Sequence, residues 1–199
     1  MKAIGLPMFR FRRMSGLAFT AAAALTCLWP IGASAEIRKM MTMCEGQKLC
    51  PWLQSSVAPP KGWVVDKARG EQHFVTMLVP DKKEIGEDDP LIYVQTSFHR
   101  DQQTLDANIK MNQDLWRKSE PDVRITPLGT VARGAGKEPF QVFLYENPTH
   151  PQQAFEKMAF ASEKQPDGSH YIVTVVDTAG NRKAIDDSSA AFQAVLGGL

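Results

Sequence analysis

The chain has 199 residues, of which 43% are hydrophobic and 23% charged, with 23 Lys+Arg set against 22 Asp+Glu. A formal net charge of +1 leaves no basic footprint for nucleic acid or for an anionic membrane surface. Length and apolar content suffice for one domain with a core of its own.

Residues 1–35 read as a secretory signal peptide. Lys2, Arg10, Arg12 and Arg13 make a basic start, Leu17 to Leu28 an apolar run, and Ala33-Ser34-Ala35 the small-x-small pattern that precedes cleavage, here before about Glu36. The apolar run is shorter than the roughly 20 residues that a spanning helix needs. Arg12-Arg13 lacks the flanks of a twin-arginine signal, and Ala24-Leu25-Thr26 before Cys27 is not a lipobox. The expected location is the periplasm or the exterior, with no stable membrane span after cleavage. Without this segment 19 basic and 22 acidic residues remain.

Residues 36–58 read as an N-terminal extension. Cys44 and Cys50 enclose five residues, and in an oxidising compartment so close a pair is expected to form a disulfide. A loop this short contributes about 2 kcal/mol. A redox pair favours tighter spacing, and a metal site needs more ligands. Met40, Met41 and Met43 stand beside the pair. Thioethers can hold copper(I), but they also make adaptable contact surfaces. Ser55 to Gly62, with Pro59-Pro60, reads as an extended linker.

Residues 59–199 read as a single α+β domain. Trp63 to Val65 is a short strand. His73 to Val79 is a second, closed by Pro80, and the charged stretch 81–90 is a loop. Leu91 to Phe98 alternates, with Ile92, Val94, Thr96 and Phe98 on one face and Tyr93 on the other. Thr104 is a helix N-cap with Asp106 in the first turn. The helix runs about fifteen residues, buries Leu105, Ile109 and Trp116, and stops at Pro121. Val123 to Val131 is a strand that Pro127 confines to an edge. Phe140 to Tyr145 and Ala154 to Glu163 are further strands. The turn Gln165-Pro166-Asp167-Gly168 folds the latter onto Tyr171 to Val176, the strongest β-branched and aromatic run of the chain. Asp177 to Asn181 reads as a turn into a C-terminal helix carrying Ile185, Phe192 and Leu196. Together these predict an antiparallel sheet covered by amphipathic helices, preceded by a short disulfide-strapped segment.

Pro60-Lys61-Gly62-Trp63, the stretch Phe74 to Pro80 and the order of elements through the terminal helix resemble PsbP, the extrinsic photosystem II protein. The resemblance spans about Pro59 to Leu199. It implies an antiparallel sheet between helical layers (an α/β/α sandwich also used by Ran-binding import factors) and a binding or accessory role without catalysis.

No Gly-rich phosphate loop, HExxH motif or Gly-x-Ser-x-Gly elbow occurs in the sequence. His99, Arg100 and Asp101 end a strand before a helix and include acid–base residue types, but adjacent residues point to opposite faces. Asp177, Thr178 and Asn181 mark the corresponding junction of the later strand, where helix N–H groups can meet an anion or side chains can cap the helix. The possible ligand-binding residues are therefore His99, Arg100, Asp177, Thr178 and Asn181. No catalytic residue, metal ligand or cofactor is assigned. The expected function is an exported, non-enzymatic protein that binds a partner protein or supports an envelope complex. The alternatives are a small periplasmic enzyme, such as a hydrolase, working near His99 and Asp177, and a carrier of a small apolar ligand.

Overall fold

The computed structural model describes residues 36–44, 48–98, 104–134, 136–149, 155–165 and 167–199, with main chain only at 44. The signal-peptide expectation falls on residues 1–35, outside the described residues. Among the described residues nine strands form one antiparallel sheet: β1 (Ile37–Cys44), β2 (Lys48–Ser55), β3 (Trp63–Val65), β4 (Thr76–Pro80), β5 (Leu91–Phe98), β6 (Arg124–Val131), β7 (Phe140–Glu146), β8 (Phe155–Lys164) and β9 (His170–Ala179). Their spatial order is β1-β2-β5-β9-β8-β7-β6, and β4 also pairs with β5 and carries β3 at its side. Four helices accompany them among the described residues: α1 (Lys67–His73), α2 (Leu105–Ser119), α3 (Arg182–Asp187) and α4 (Ser189–Gly198). None is long and apolar enough to cross a membrane, which says nothing of β-barrels.

The central strands are buried on both faces because both faces are covered. On one, Ile92, Val94, Val173 and Val175 pack with Phe192, Val195 and Leu196 of α4. Ala159 and Ala161, both at 0% exposure, are small enough to leave room there for Phe192. On the other face Tyr145, Met158, Phe160 and Val176 close around Ile109 of α2. Thr104 caps α2, its hydroxyl accepting the Ala107 N–H at 3.2 Å. The Tyr145 hydroxyl reaches Asn112 on α2 at 3.0 Å. A third, smaller cluster holds Val75, Met77 and Val79.

Several expectations are corrected. The chain is dominated by one large sheet with few helices, two of them no longer than seven residues; α4 and α2 cover only the central part of its two faces, so the expected sandwich of full helical layers is not formed. The reason lies partly in residues 36–55. They form a hairpin of eight paired positions that joins the same sheet through Leu53 and Thr96, so they are not a strap preceding it. Register places Cys50 against Thr42 and Cys44 against Lys48, so the cysteines do not face each other directly. Cys50 is disulfide-bonded, but the Cys44 side chain lies outside the described residues, which do not show the expected Cys44–Cys50 bridge. Among the described residues, the β1–β2 ladder holds this segment together.

The segment 67–73, absent from the sequence reading, is α1. Asp66 caps it, accepting the Arg69 N–H at 3.1 Å. Gly70 is its only buried residue, and a Cβ there would stand 2.6 Å from the Val75 carbonyl oxygen. Gly70→Ala is therefore expected to push α1 off β4 and to cost about 1–3 kcal/mol in denaturant unfolding, despite alanine's better helix propensity. An unchanged midpoint would show that the two elements separate freely.

Candidate functional site

The junction after β9 is not a site of the expected kind. The strand runs on through Asp177 and Thr178, so these two side chains point to opposite faces. Asp177 is fully buried and accepts the Ser188 hydroxyl at 2.7 and 2.9 Å. Burial pushes its carboxyl up to about 6, opposed by the Ser188 hydrogen bond and by the Lys157 charge. Lys157 sits across the β8–β9 ladder from Asp177. Its ammonium donates to the Ile185 carbonyl at 2.6 Å and to the Ser189 hydroxyl, and burial lowers its pKa. The group thus ties the α3–α4 corner to the sheet. Asn181 caps α3, accepting the Ala184 N–H at 2.9 Å. His99 and Arg100 lie outside the described residues. Among those described, no three His, Cys, Asp or Glu side chains are placed to hold a metal.

Thr178 looks the other way, toward Glu156, directly opposite it on β8. Burial pushes the Glu156 carboxyl up to about 7, with a Thr178 hydrogen bond acting against it. Its Oε2 has no hydrogen-bond partner among the described residues. Burial also raises the pKa of Tyr93 and, to about 12, that of Tyr145, with the Glu156 charge adding to both. A perturbed carboxyl is a common mark of a site. Here it stands beside the packed core under α2, and its hydrogen-bonding neighbour is the Thr178 hydroxyl of the facing strand.

The feature that fits a ligand lies where β1 and β2 meet the end of β5. A groove of about 960 Å³ opens there. Its apolar lining comes from Met40, Met41, Trp52, Phe74, Phe98 and Tyr171. Register explains the exposure around it. Met41 faces Pro51 and Met43 faces Leu49 across the hairpin, so these four share one side. Leu53, on that same side, pairs with Thr96, whose face is that of Val173 and the α4-covered core. Beyond the cover the apolar face continues into solvent, leaving Met41 58%, Met43 61% and Phe98 53% exposed. Phe98 leans edge-on against Tyr171, ring centroids 5.7 Å apart. Trp52, paired with Met40 on the opposite side of the hairpin, is buried and anchors it.

The sequence held partial signals for this groove. The Met40-Met41-Met43 run was visible, but pairing sends Met40 to one side of the hairpin and Met41 and Met43 to the other, so they do not gather as a copper ligand set. Phe98 alternates in phase with Ile92 and Val94 and so reads as core. Nothing in the local pattern of Phe74 marks it as a groove residue.

No protein family matches the chain, and no curated protein matches it. Among solved structures, a point mutant of the protein Mog1 aligns with 80% of this chain and 89% of its own at 12% identity, with a TM-score of 0.41. A likeness at that level supports neither fold nor function.

Proposed function

We propose that this chain is a non-catalytic protein that binds a partner protein through the groove between the β1–β2 hairpin and the end of β5. The carrying observation is the exposed Met41, Met43, Leu49 and Phe98 beside a core that is otherwise filled. Contiguous exposed apolar surface is costly to keep in water and marks interaction sites. The enzyme reading loses its footing because Asp177 is sealed behind Ser188. The carrier reading is weakened because Ile109, Tyr145, Met158, Phe160 and Val176 occupy the space under α2. The basic start, apolar run and Ala33-Ser34-Ala35 favour export and so an envelope partner.

Site-specific photo-crosslinkers test this. Placed at Met41 or Phe98, they are expected to capture the same envelope protein. Placed at Lys110 on exposed α2, the same label should capture nothing reproducible. Met41→Glu, which charges the surface without touching the core, should abolish capture at Phe98. Equal capture from all three positions, or none from Met41 and Phe98, would end the reading.

A further inference from the structure

Resting on that reading, we propose that the groove takes an extended segment of the partner that lies along the parted strands β2 and β5, with an acidic side chain set against Lys39 and apolar ones against Phe74 and Phe98. Three observations converge on this occupant.

The first is the shape of the sheet. β1 and β2 share eight paired positions, and so do β5 and β9. Between them, β2 and β5 are joined at one position, Leu53 with Thr96. Past that point the strands part, and the groove lies in the opening, lined from both sides by Pro51, Trp52 and Leu53 and by Gln95, Thr96 and Phe98. Ser97 and Phe98 pair with β9 on one edge and meet no strand of the described residues on the other. An extended peptide satisfies such an edge with main-chain hydrogen bonds while its alternate side chains fill the walls.

The second is charge. Lys39 is the one charged residue among the described residues that line the groove. Asp167, on the β8–β9 turn, is held low chiefly by the Ser169 N–H, and the Lys39 charge contributes. That carboxyl is fully exposed, so solvent screens its hold on Lys39. A carboxylate beside apolar side chains matches this lining, and a basic segment is disfavoured.

The third is strain. Phe74 has φ 57°, the only positive value among the described non-glycine residues. It caps α1, its N–H reaching the Glu71 and Gly70 carbonyls. Glycine makes such a cap at less cost, because an L side chain crowds the left-handed conformation. The aromatic ring at this position lines the groove. Strain kept where a side chain meets an open site points to a contact role.

Panning a randomised peptide library displayed on phage against the purified protein tests the inference. The enriched pool is expected to carry Asp or Glu next to aromatic or aliphatic residues and to be poor in Pro, which cannot complete a ladder. Lys39→Glu should weaken the selected peptides about five- to tenfold, and Lys39→Arg should not. Phe74→Gly should raise the melting temperature and still lose the peptides. A Phe74 that serves only as a cap would raise the melting temperature and leave binding intact. The inference is overturned by a pool without acidic bias, by no enrichment, or by indifference to Lys39→Glu. It is overturned equally if oleate competes the peptides away while the protein binds oleate more tightly, or if the Met41 crosslinker captures a second copy of this chain. Failure here with crosslinks to a partner intact leaves the partner reading standing; failure of both removes it.

Discussion

Arg133→Met is expected to destabilise the protein by about 3 kcal/mol in denaturant unfolding, near the lower end for breaking a buried ion pair. The Arg133 side chain is 1% exposed and that of Glu163 9%, with nitrogen and oxygen 2.5 Å apart. The guanidinium also donates to the Leu199 carbonyl at 2.9 Å and to the Ser162 carbonyl at 3.3 Å. It lies over the Phe140 ring, 4.8 Å from the centroid. Removing it strands the Glu163 carboxylate and frees the end of α4. The lower end of the range applies because Lys137 stays 3.5 Å from Glu163 and keeps its own bond to the Leu199 carbonyl.

The double change Arg133→Met with Glu163→Leu is expected to recover most of the loss. Desolvating two charges is costly, and the Arg133 Nε finds no hydrogen-bond partner among the described residues, so the intact pair contributes little beyond an apolar replacement. Breaking it is expensive and exchanging it is cheap. If the single change costs under about 1 kcal/mol, the pair is solvated and behaves like a surface bridge.

How much of this was legible in the sequence depends on whether local pattern and tertiary cover agree. The bounds of β5 and the capped start of α2 were readable because alternation in Ile92, Val94 and Thr96, and the Thr104 side chain, match what they meet, although of Leu105, Ile109 and Trp116 only Ile109 is buried and Phe98 is exposed. The β8–β9 hairpin followed from its turn residues. The segment 67–73 was not readable as a helix, because Lys-Ala-Arg-Gly-Glu-Gln-His shows no apolar stripe; its one inward residue is a glycine. Asp177 was read as turn because Asp, Thr and Asn favour turns. The strand extends through it because Ser188 satisfies the buried carboxylate, a contact eleven residues away in the chain. The groove was the hardest feature. Its residues come from β1, β2, the end of α1, β5 and β9, and their exposure reflects where cover ends, which no window of sequence records.

Glu156→Gln is expected to stabilise the protein at about pH 8 by roughly 2–3 kcal/mol and to change little at about pH 4. Burial raises the Glu156 carboxyl from 4.5 to about 7. Between those values the folded state holds a proton that the unfolded chain has released, so stability falls as pH rises through that window and levels off above it. Glutamine carries no charge to desolvate, so the variant should lose this part of the slope. Asp177 acts in the same direction, raised from 3.8 to about 6, and its share of the fall ends at lower pH. The lowered Lys157 acts only in the alkaline range, where deprotonation of the folded state adds stability as pH rises. The residual slope of the variant should therefore lie below about pH 6, which identifies Asp177 as its source. Urea unfolding of both proteins across this range decides the matter. Parallel curves would show that Glu156 stays hydrated in the folded state, and that the β8–β9 face beside Tyr93 and Tyr145 is open to water.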